Sequence, residues 1–486
     1  MFSAVFVLLF VVAGHVSAQD LTTSPSGNPI IDDWYADPEG IVYNGTFWIY
    51  PTTSKAWGEQ VYLDGFSSTD MVHWTTHKNV AVKDDFSWAR GAMWAPAAAT
   101  RNGKYYLYFS ANDIQNDDQL GGIGVGVADK PEGPFKDAIG KPLIGKYYNK
   151  ASPIDQDVFI DDDGQAYIYW GGFGRANVAL LNEDMISLGT HSDGSVAKEI
   201  TPEGYTEGSQ MFKRNGKYYF MWSEDVWTGP NYAVAYAIAD SPLGPFQRLG
   251  RVIQQDSAVA TGSGHNGVLN VPNTDIWYIT YHRRPLGETN GDHRVTCYER
   301  MYFEADDTIR PVVMGVKDNF ADGNMLGWKT YGGEWSVDTN KLIGSAGSES
   351  KAALNTNFED QKYEALVTLT SQPTDDNSDA GLIFRAGNIA EGLDAYSGYY
   401  AGLSLKGYVI LGRSGGGWQE LNRYNMTIES GLTYHVRATA IGSDIKIEVG
   451  NFTVITAQDS TYPSGTNGVR VFQASAKFGK VSVEKV

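Results

Sequence analysis

Cysteine is almost absent from this 486-residue sequence: Cys297 stands alone. That excludes an internal disulfide and leaves a buried structural thiol as its plain reading, so cohesion has to come from core packing, helped at most by a bound metal. Past the first dozen residues no stretch approaches the ~20 apolar residues that a spanning helix needs, so no membrane span is expected. No long run repeats apolar residues at i, i+3, i+4 and i+7, so amphipathic helices are also missing. Positive charge is scarce as well, with 38 Lys and Arg against 57 Asp and Glu and a net charge of -19. Binding to phosphate backbones or anionic lipid depends on clustered Lys and Arg, so nucleic acid and membrane surfaces are excluded as partners and a neutral one fits better.

The apolar run Val5 to Val12, closing on Val16-Ser17-Ala18 before Gln19, has the form of a secretory signal, although no Lys or Arg precedes it. Residues 1–18 are therefore expected to be a signal peptide and the mature protein to be secreted and extracellular. Asn44, Asn425 and Asn451 each open an Asn-x-Thr sequon, which agrees with a secreted glycoprotein. The sequence holds 13 Trp and 29 Tyr, whose flat faces suit sugar rings but serve more often as core.

One signature recurs along the first two-thirds of the chain: an Asn-Gly or Asp-Gly turn followed by an aromatic, alternating strand. It occurs at Asn44-Gly45 before Phe47 to Tyr50, at Asn102-Gly103 before Tyr105 to Phe109, and at Asp163-Gly164 before Tyr167 to Trp170. It returns at Asn215-Gly216 before Tyr218 to Trp222, and a weaker copy spans Asn273 to Tyr281. These dipeptides supply the positive φ angles of tight hairpins, and spacings of roughly 50 to 60 residues mark propeller blades. The sequence predicts an all-β fold with five four-stranded blades, whose first strands converge on a central channel. After Pro311 the pattern changes. Gly-rich turns then alternate with short runs such as Tyr363 to Leu369 and Tyr434 to Ala440, which predicts a β-sandwich of jelly-roll type. The expected division is a propeller over 19–316 and a sandwich over 317–486.

Three carboxylates precede blades at comparable places: Asp37 in Tyr35-Ala36-Asp37-Pro38, Asp155 in Pro153-Ile154-Asp155-Gln156, and Glu207 in Thr206-Glu207-Gly208. Singly, an Asp before Pro is more often a turn former. Together they are candidates for acid and base chemistry on a glycosidic bond, because inversion needs one carboxylic acid to protonate the leaving oxygen and one carboxylate to activate water. Residues this far apart in sequence meet only if a fold such as a propeller gathers them.

Asn28-Pro29-Ile30, Ala36-Asp37-Pro38, Met93-Trp94-Ala95-Pro96, Ile154-Asp155, Glu207-Gly208 and Gly264-His265 together resemble glycoside hydrolase family 43, inverting enzymes on five-bladed propellers, over about residues 28 to 315. The resemblance implies Asp37 as general base, Glu207 as general acid, and Asp155 as the carboxylate that orients the acid and keeps its pKa raised. Gln156 stands where the family more often has Pro. By the same resemblance His265 faces the channel, contacts substrate and lies beside a hydrated calcium or sodium ion of structural or electrostatic role, no cofactor being needed for the chemistry; a core histidine is the alternative. Trp94 is expected either to line the sugar pocket or to wedge between blades. Arg294 is expected near the carboxylates and the bound sugar, with Arg283 and Arg284 as competitors for that place.

The implied activity is exo-acting α-L-arabinofuranosidase on arabinoxylan or arabinan of the plant cell wall, by a monomer. β-xylosidase, endo-arabinanase and, outside enzymes, a polysaccharide-binding lectin are the alternatives. The C-terminal region resembles the concanavalin-like sandwiches appended to carbohydrate enzymes, including carbohydrate-binding module family 66. It is expected either to bind glycan or to cover one side of the propeller.

Overall fold

The computed structural model describes residues 27–370 and 378–486. The expected leader at 1–18 lies outside them. The described residues form 34 strands and two single-turn 3-10 segments, Trp57–Glu59 and Lys83–Asp85. Five successive antiparallel sheets between Tyr35 and Met301 are the blades of a propeller, and two larger sheets between Val316 and Lys485 form a sandwich.

The recurring aromatic strand is the second strand of each blade, packed on both faces by neighbouring blades, and its alternation sends side chains to opposite sides. In Lys104–Ala111, Leu107 and Phe109 join Trp48 and Tyr50 of blade one, whereas Tyr106 and Tyr108 join Ile168 and Trp170 of blade three. A strand buried on both faces favours apolar and aromatic side chains along most of its length, which explains the near-continuous apolar runs. The hairpins ahead of these strands follow the turn chemistry in blades one, two and four, where both turn residues have positive φ, as at Asn44 (50°) and Gly45 (78°). In blade three only Gly164 of the pair does, and the turn is wider, with Asp161 N–H donating to Gln165 O.

Blades one to four have four strands each, but blade five has three: Ala260–Asn270, Trp277–Pro285 and Val295–Met301. Residues 28–35 take the fourth place and close the ring. The Asn28 side-chain amide donates to Tyr298 O at 3.0 Å and its oxygen accepts Tyr298 N–H at 3.1 Å. Ile30 N–H then donates to Thr296 O and Tyr35 N–H to Arg294 O. The segment is too irregular for a strand, yet it covers an edge that would otherwise stay open.

In the sandwich, an eight-stranded sheet carries Ser475–Lys485 between Leu342–Ser345 and Gln361–Leu369, and a seven-stranded sheet carries Thr466–Phe472 between Glu349–Leu354 and Asp379–Gly387. Tyr363, Leu382, Val469 and Phe478 are fully buried between the sheets, in a cluster that runs on into blades four and five through Met314, Val316 and Phe320. Asn357 N–H donates to Ala258 O and Asn355 Nδ2 to Leu286 O across the junction.

Candidate active site

The channel end of every blade repeats one backbone feature. Asp37, Ala95, Asp155, Gly208 and His265, one per blade, all have left-handed φ, between 40° and 70°. In blades one, two, four and five the ladder shifts register at this point, as a β-bulge does. A bulge re-aims a side chain, and a non-glycine residue held left-handed costs roughly 1–2 kcal/mol, so the surrounding structure must fix it. Asp tolerates this conformation better than most residues, which suits Asp37 and Asp155. In blade four the left-handed place is Gly208, whose Cβ would lie 2.8 Å from Ser223 Oγ, and the acid sits one residue earlier.

Three of these residues are fixed by a hydrogen bond from the neighbouring blade. Thr52, Ser223 and His282 occupy matching places near the ends of second strands, opposite Ala36, Glu207 and Gly264. Thr52 Oγ1 accepts Ala95 N–H at 2.7 Å, Ser223 Oγ accepts His265 N–H at 3.1 Å, and His282 Nδ1 accepts Asp37 N–H at 3.1 Å. In these three places one blade thereby holds the left-handed residue of the next.

Asp37, Asp155 and Glu207 line one small cavity of about 120 Å3 together with Trp94, His265 and Arg294. The structure brings all six sequence candidates together. Arg294 Nη1 lies 3.1 Å from Asp37 Oδ1, and its Nε donates to Ser54 Oγ. The competing arginines are elsewhere: Arg284 donates to Gly229 O, and Arg283 lines a cavity at the junction with the sandwich. His265 Nδ1 sits 3.3 Å from Asp37 and 3.7 Å from Asp155, bridging the two carboxylates. Trp94 donates through Nε1 to Gln60 Oε1.

These contacts divide the carboxylates into two states. Burial pushes the Asp37 carboxyl up, but Arg294 and His265 outweigh it and hold the group well below the usual range, ionised. Burial raises Asp155, with Glu207 and Asp37 adding to the rise against His265, to about 8. Glu207 is raised by burial and by Asp37, while the hydroxyl of Tyr232, donating to Oε1 at 2.9 Å, pulls the other way. Asp155 therefore holds a proton near neutrality and Glu207 is shifted in the same direction, whereas Asp37 is shifted the opposite way, the separation that an acid and a base need. His265 is raised to about 9 in spite of its burial, chiefly by Asp155 and Asp37, so it is charged. His282 is lowered to about 4 by burial and by Arg294, so it is neutral. Its Nδ1 accepts from Asp37 N–H at 3.1 Å and also lies 3.2 Å from Asp37 Oδ1.

Among the described residues, no group of three or more His, Cys, Asp or Glu side chains is arranged to hold a metal ion. Nδ1 of His265, charged and committed to two carboxylates, has no lone pair to give, so the side chains do not form a direct ligand set for an ion at that atom.

His282, Tyr232, Gln60 and Trp227 were not singled out by sequence reasoning. His282 was findable: aligned on the repeat it stands where Thr52 and Ser223 stand. Tyr232 and Trp227 lie in the connection after Lys217–Glu224, where no residue pattern shared with the other blades marks them. Trp227 lines the cavity, with the Arg294 guanidinium 4.9 Å from its ring.

The sequence model for Glycosyl hydrolases family 43 matches residues 26–309. The chain belongs to this family. A β-D-galactofuranosidase of Aspergillus niger is 43% identical over 310 residues, 61% of this chain and 87% of that protein. Xylosidase/arabinosidase 43A of Humicola insolens is 30% identical over 338 residues, 58% of this chain and 98% of its own. Among solved structures, CoXyl43, a GH43 β-xylosidase/α-arabinofuranosidase from a compost microbial metagenome held with xylotriose, superposes with a TM-score of 0.51 at 26% identity. It covers 60% of this chain and 98% of CoXyl43. As a family-43 member the chain is a glycoside hydrolase, and its propeller is the part that the family shares.

Proposed function

We propose that this family-43 hydrolase is an exo-acting, inverting α-L-arabinofuranosidase that removes terminal or side-chain arabinose from arabinoxylan or arabinan outside the cell. The observation that carries the reading is the charge separation in the cavity, with Asp37 ionised and the Asp155–Glu207 pair holding a proton. In this mechanism Glu207 gives its proton to the glycosidic oxygen as the bond to the anomeric carbon breaks. Asp37 takes a proton from the water that attacks the opposite face of that carbon, so the products are a free sugar of inverted configuration and the shortened glycan. Asp155 keeps Glu207 protonated by like-charge proximity. Arg294 and His265 keep Asp37 ionised, and Trp94 and Trp227 offer faces to the sugar. The calcium or sodium ion belongs to the proposal only as one held through water near His265, tested by whether calcium raises the melting temperature of chelator-treated protein.

The 43% identical galactofuranosidase favours a second reading, a β-D-galactofuranosidase. The two furanosides share ring configuration, and galactofuranose differs in carrying one more carbinol group, so the depth of the cavity decides between them. Aryl α-L-arabinofuranoside and aryl β-D-galactofuranoside, assayed side by side with the anomer followed by NMR, separate the readings. Inverted arabinose supports the first, inverted galactose the second, and a retained anomer overturns the mechanism. Loss of hydrolysis in Asp37→Asn and Glu207→Gln with sugar binding intact supports the roles; undiminished hydrolysis in both removes them, and no product from any substrate revives the lectin.

A further inference from the structure

The register of each blade puts the connection between its second and third strands at the same end as the carboxylates, since Tyr35 pairs with Thr53, Trp94 with Ser110, Asp157 with Tyr169 and Glu207 with Ser223. In blades one to four this connection carries a large apolar side chain in water: Trp57 (54% exposed), Leu120 (54%), Phe173 (64%) and Val226 (58%). Of the large exposed apolar residues between Tyr35 and Met301, just one other, Leu249, lies elsewhere. Four corresponding loops with the same unfavourable feature form a surrounding pattern, and exposed apolar surface grouped beside a pocket marks a contact site.

Three of these side chains stand next to elements of the cavity wall. Trp57 opens the single turn that delivers Gln60, which lines the cavity and accepts from Trp94. Phe173 follows Gly172, a residue packed against Ile154 of the cavity wall, and Val226 precedes Trp227. Phe173 also stacks on Tyr147, with centroids 6.4 Å apart and planes 12° from parallel, and Tyr147 Oη donates to Ile114 O in the blade-two loop that carries Leu120. The two-ring platform and the Trp57 indole thus stand in different loops at the carboxylate end. The cavity itself, about 120 Å3, lies far below the roughly 300 Å3 at which pockets for larger ligands begin, so only the terminal unit of a glycan fits inside.

We propose that Trp57 and the Phe173–Tyr147 platform form a rim that binds the remaining, uncleaved part of the polysaccharide, making this enzyme selective for polymer over small glycosides. This rests on the reading that a terminal sugar is released. The occupant is a neutral sugar chain: aromatic faces bind the C–H faces of pyranose or furanose rings without needing charge, and the chain's net charge of -19 disfavours an anionic polymer. The rim touches no reacting atom and sets specificity only.

The test uses full-length Trp57→Ala, Phe173→Ala and the double variant, whose exposed positions leave folding intact. On an aryl glycoside their kcat/KM should stay within about twofold of the parent. On arabinoxylan, arabinan or a galactofuranan, whichever the parent cleaves, KM should rise roughly three- to tenfold for each substitution, as expected for losing one aromatic contact. Unchanged polymer KM in the double variant overturns the proposal, as does an equal loss on aryl glycoside and polymer. If the parent cleaves none of these, the proposed function fails but the rim is still read by retardation of parent and double variant in gels containing each polysaccharide. Retardation lost in the double variant upholds the rim, and retardation kept or absent in both overturns it.

Discussion

His282 Nδ1 accepts the backbone N–H of Asp37 at 3.1 Å, from a ring that is completely buried and stacked on Tyr232. The contact links the last blade to the first and holds a non-glycine residue at a φ of 49°. His282→Ala leaves a buried N–H without a partner, a cost of about 1–3 kcal/mol. Because the strained backbone aims the proposed base, kcat should fall about tenfold or more while KM for an aryl glycoside changes little. His282→Asn or His282→Ser, which restore an acceptor, should recover part of the loss. Equal kcat in His282→Ala and the parent removes the positioning role.

The Tyr232 hydroxyl donates to Glu207 and so favours the ionised carboxylate, opposing the rise caused by burial. Tyr232→Phe removes that donor and keeps the ring that stacks on His282. The Glu207 pKa should rise, and the alkaline limb of the kcat/KM profile should shift to higher pH. A shift to lower pH contradicts the assignment of Glu207 as the acid.

Asp155→Asn should move the same limb the other way. In the parent, Asp155 and Glu207 titrate as a pair, and the loss of their last proton is delayed by the neighbouring negative charge, with Asp155 raised to about 8. Removing one carboxylate lets Glu207 ionise earlier, so activity should fall off at lower pH. The acid limb, set by Asp37, should stay below the usual carboxylate range in both variants, because Arg294 and His265 are unchanged.

The propeller was legible because its repeat has a mechanical cause: a strand packed by blades on both sides favours apolar and aromatic side chains along most of its length, as in Tyr105 to Phe109. The three carboxylates stand at blade starts as expected, Asp37 and Asp155 both on left-handed backbone. The three-stranded fifth blade was not legible, because the missing strand is replaced by Asn28 and Ile30 through hydrogen bonds that leave no alternating pattern. Arg294 was undecided among three arginines because nothing local separates it from Arg283 and Arg284. What separates them is a contact with Asp37, 257 positions away. His282 was missed for a related reason: its role is to accept one backbone proton from a different blade.

Two positions beyond Asp37 and Asp155 in sequence, Glu39 and Asp157 form a second buried carboxylate pair, on Tyr35–Tyr43 and at the start of Asp157–Ile160. Both are buried. Burial, with Asp157 as neighbour, raises Glu39 well above its usual value, and burial raises Asp157 to about 7 although Met211 N–H donates to it at 2.6 Å. A carboxyl whose pKa is higher in the folded state binds more protons there than in the unfolded chain, so its stabilising share is complete below about pH 4 and is lost as pH rises through the folded value. Stability should therefore decline from pH 5 to pH 9, by up to about 1.4 kcal/mol per pH unit for each proton involved, and the melting temperature with it. Glu39→Gln cannot ionise, so the share of the decline that belongs to Glu39 is absent from it. Its decline over the same range should be smaller, so thermal denaturation curves of variant and parent should lie closest at pH 5 and diverge toward pH 9 with the variant more stable. Parallel declines in the two proteins would mean that these carboxylates do not exchange protons on folding.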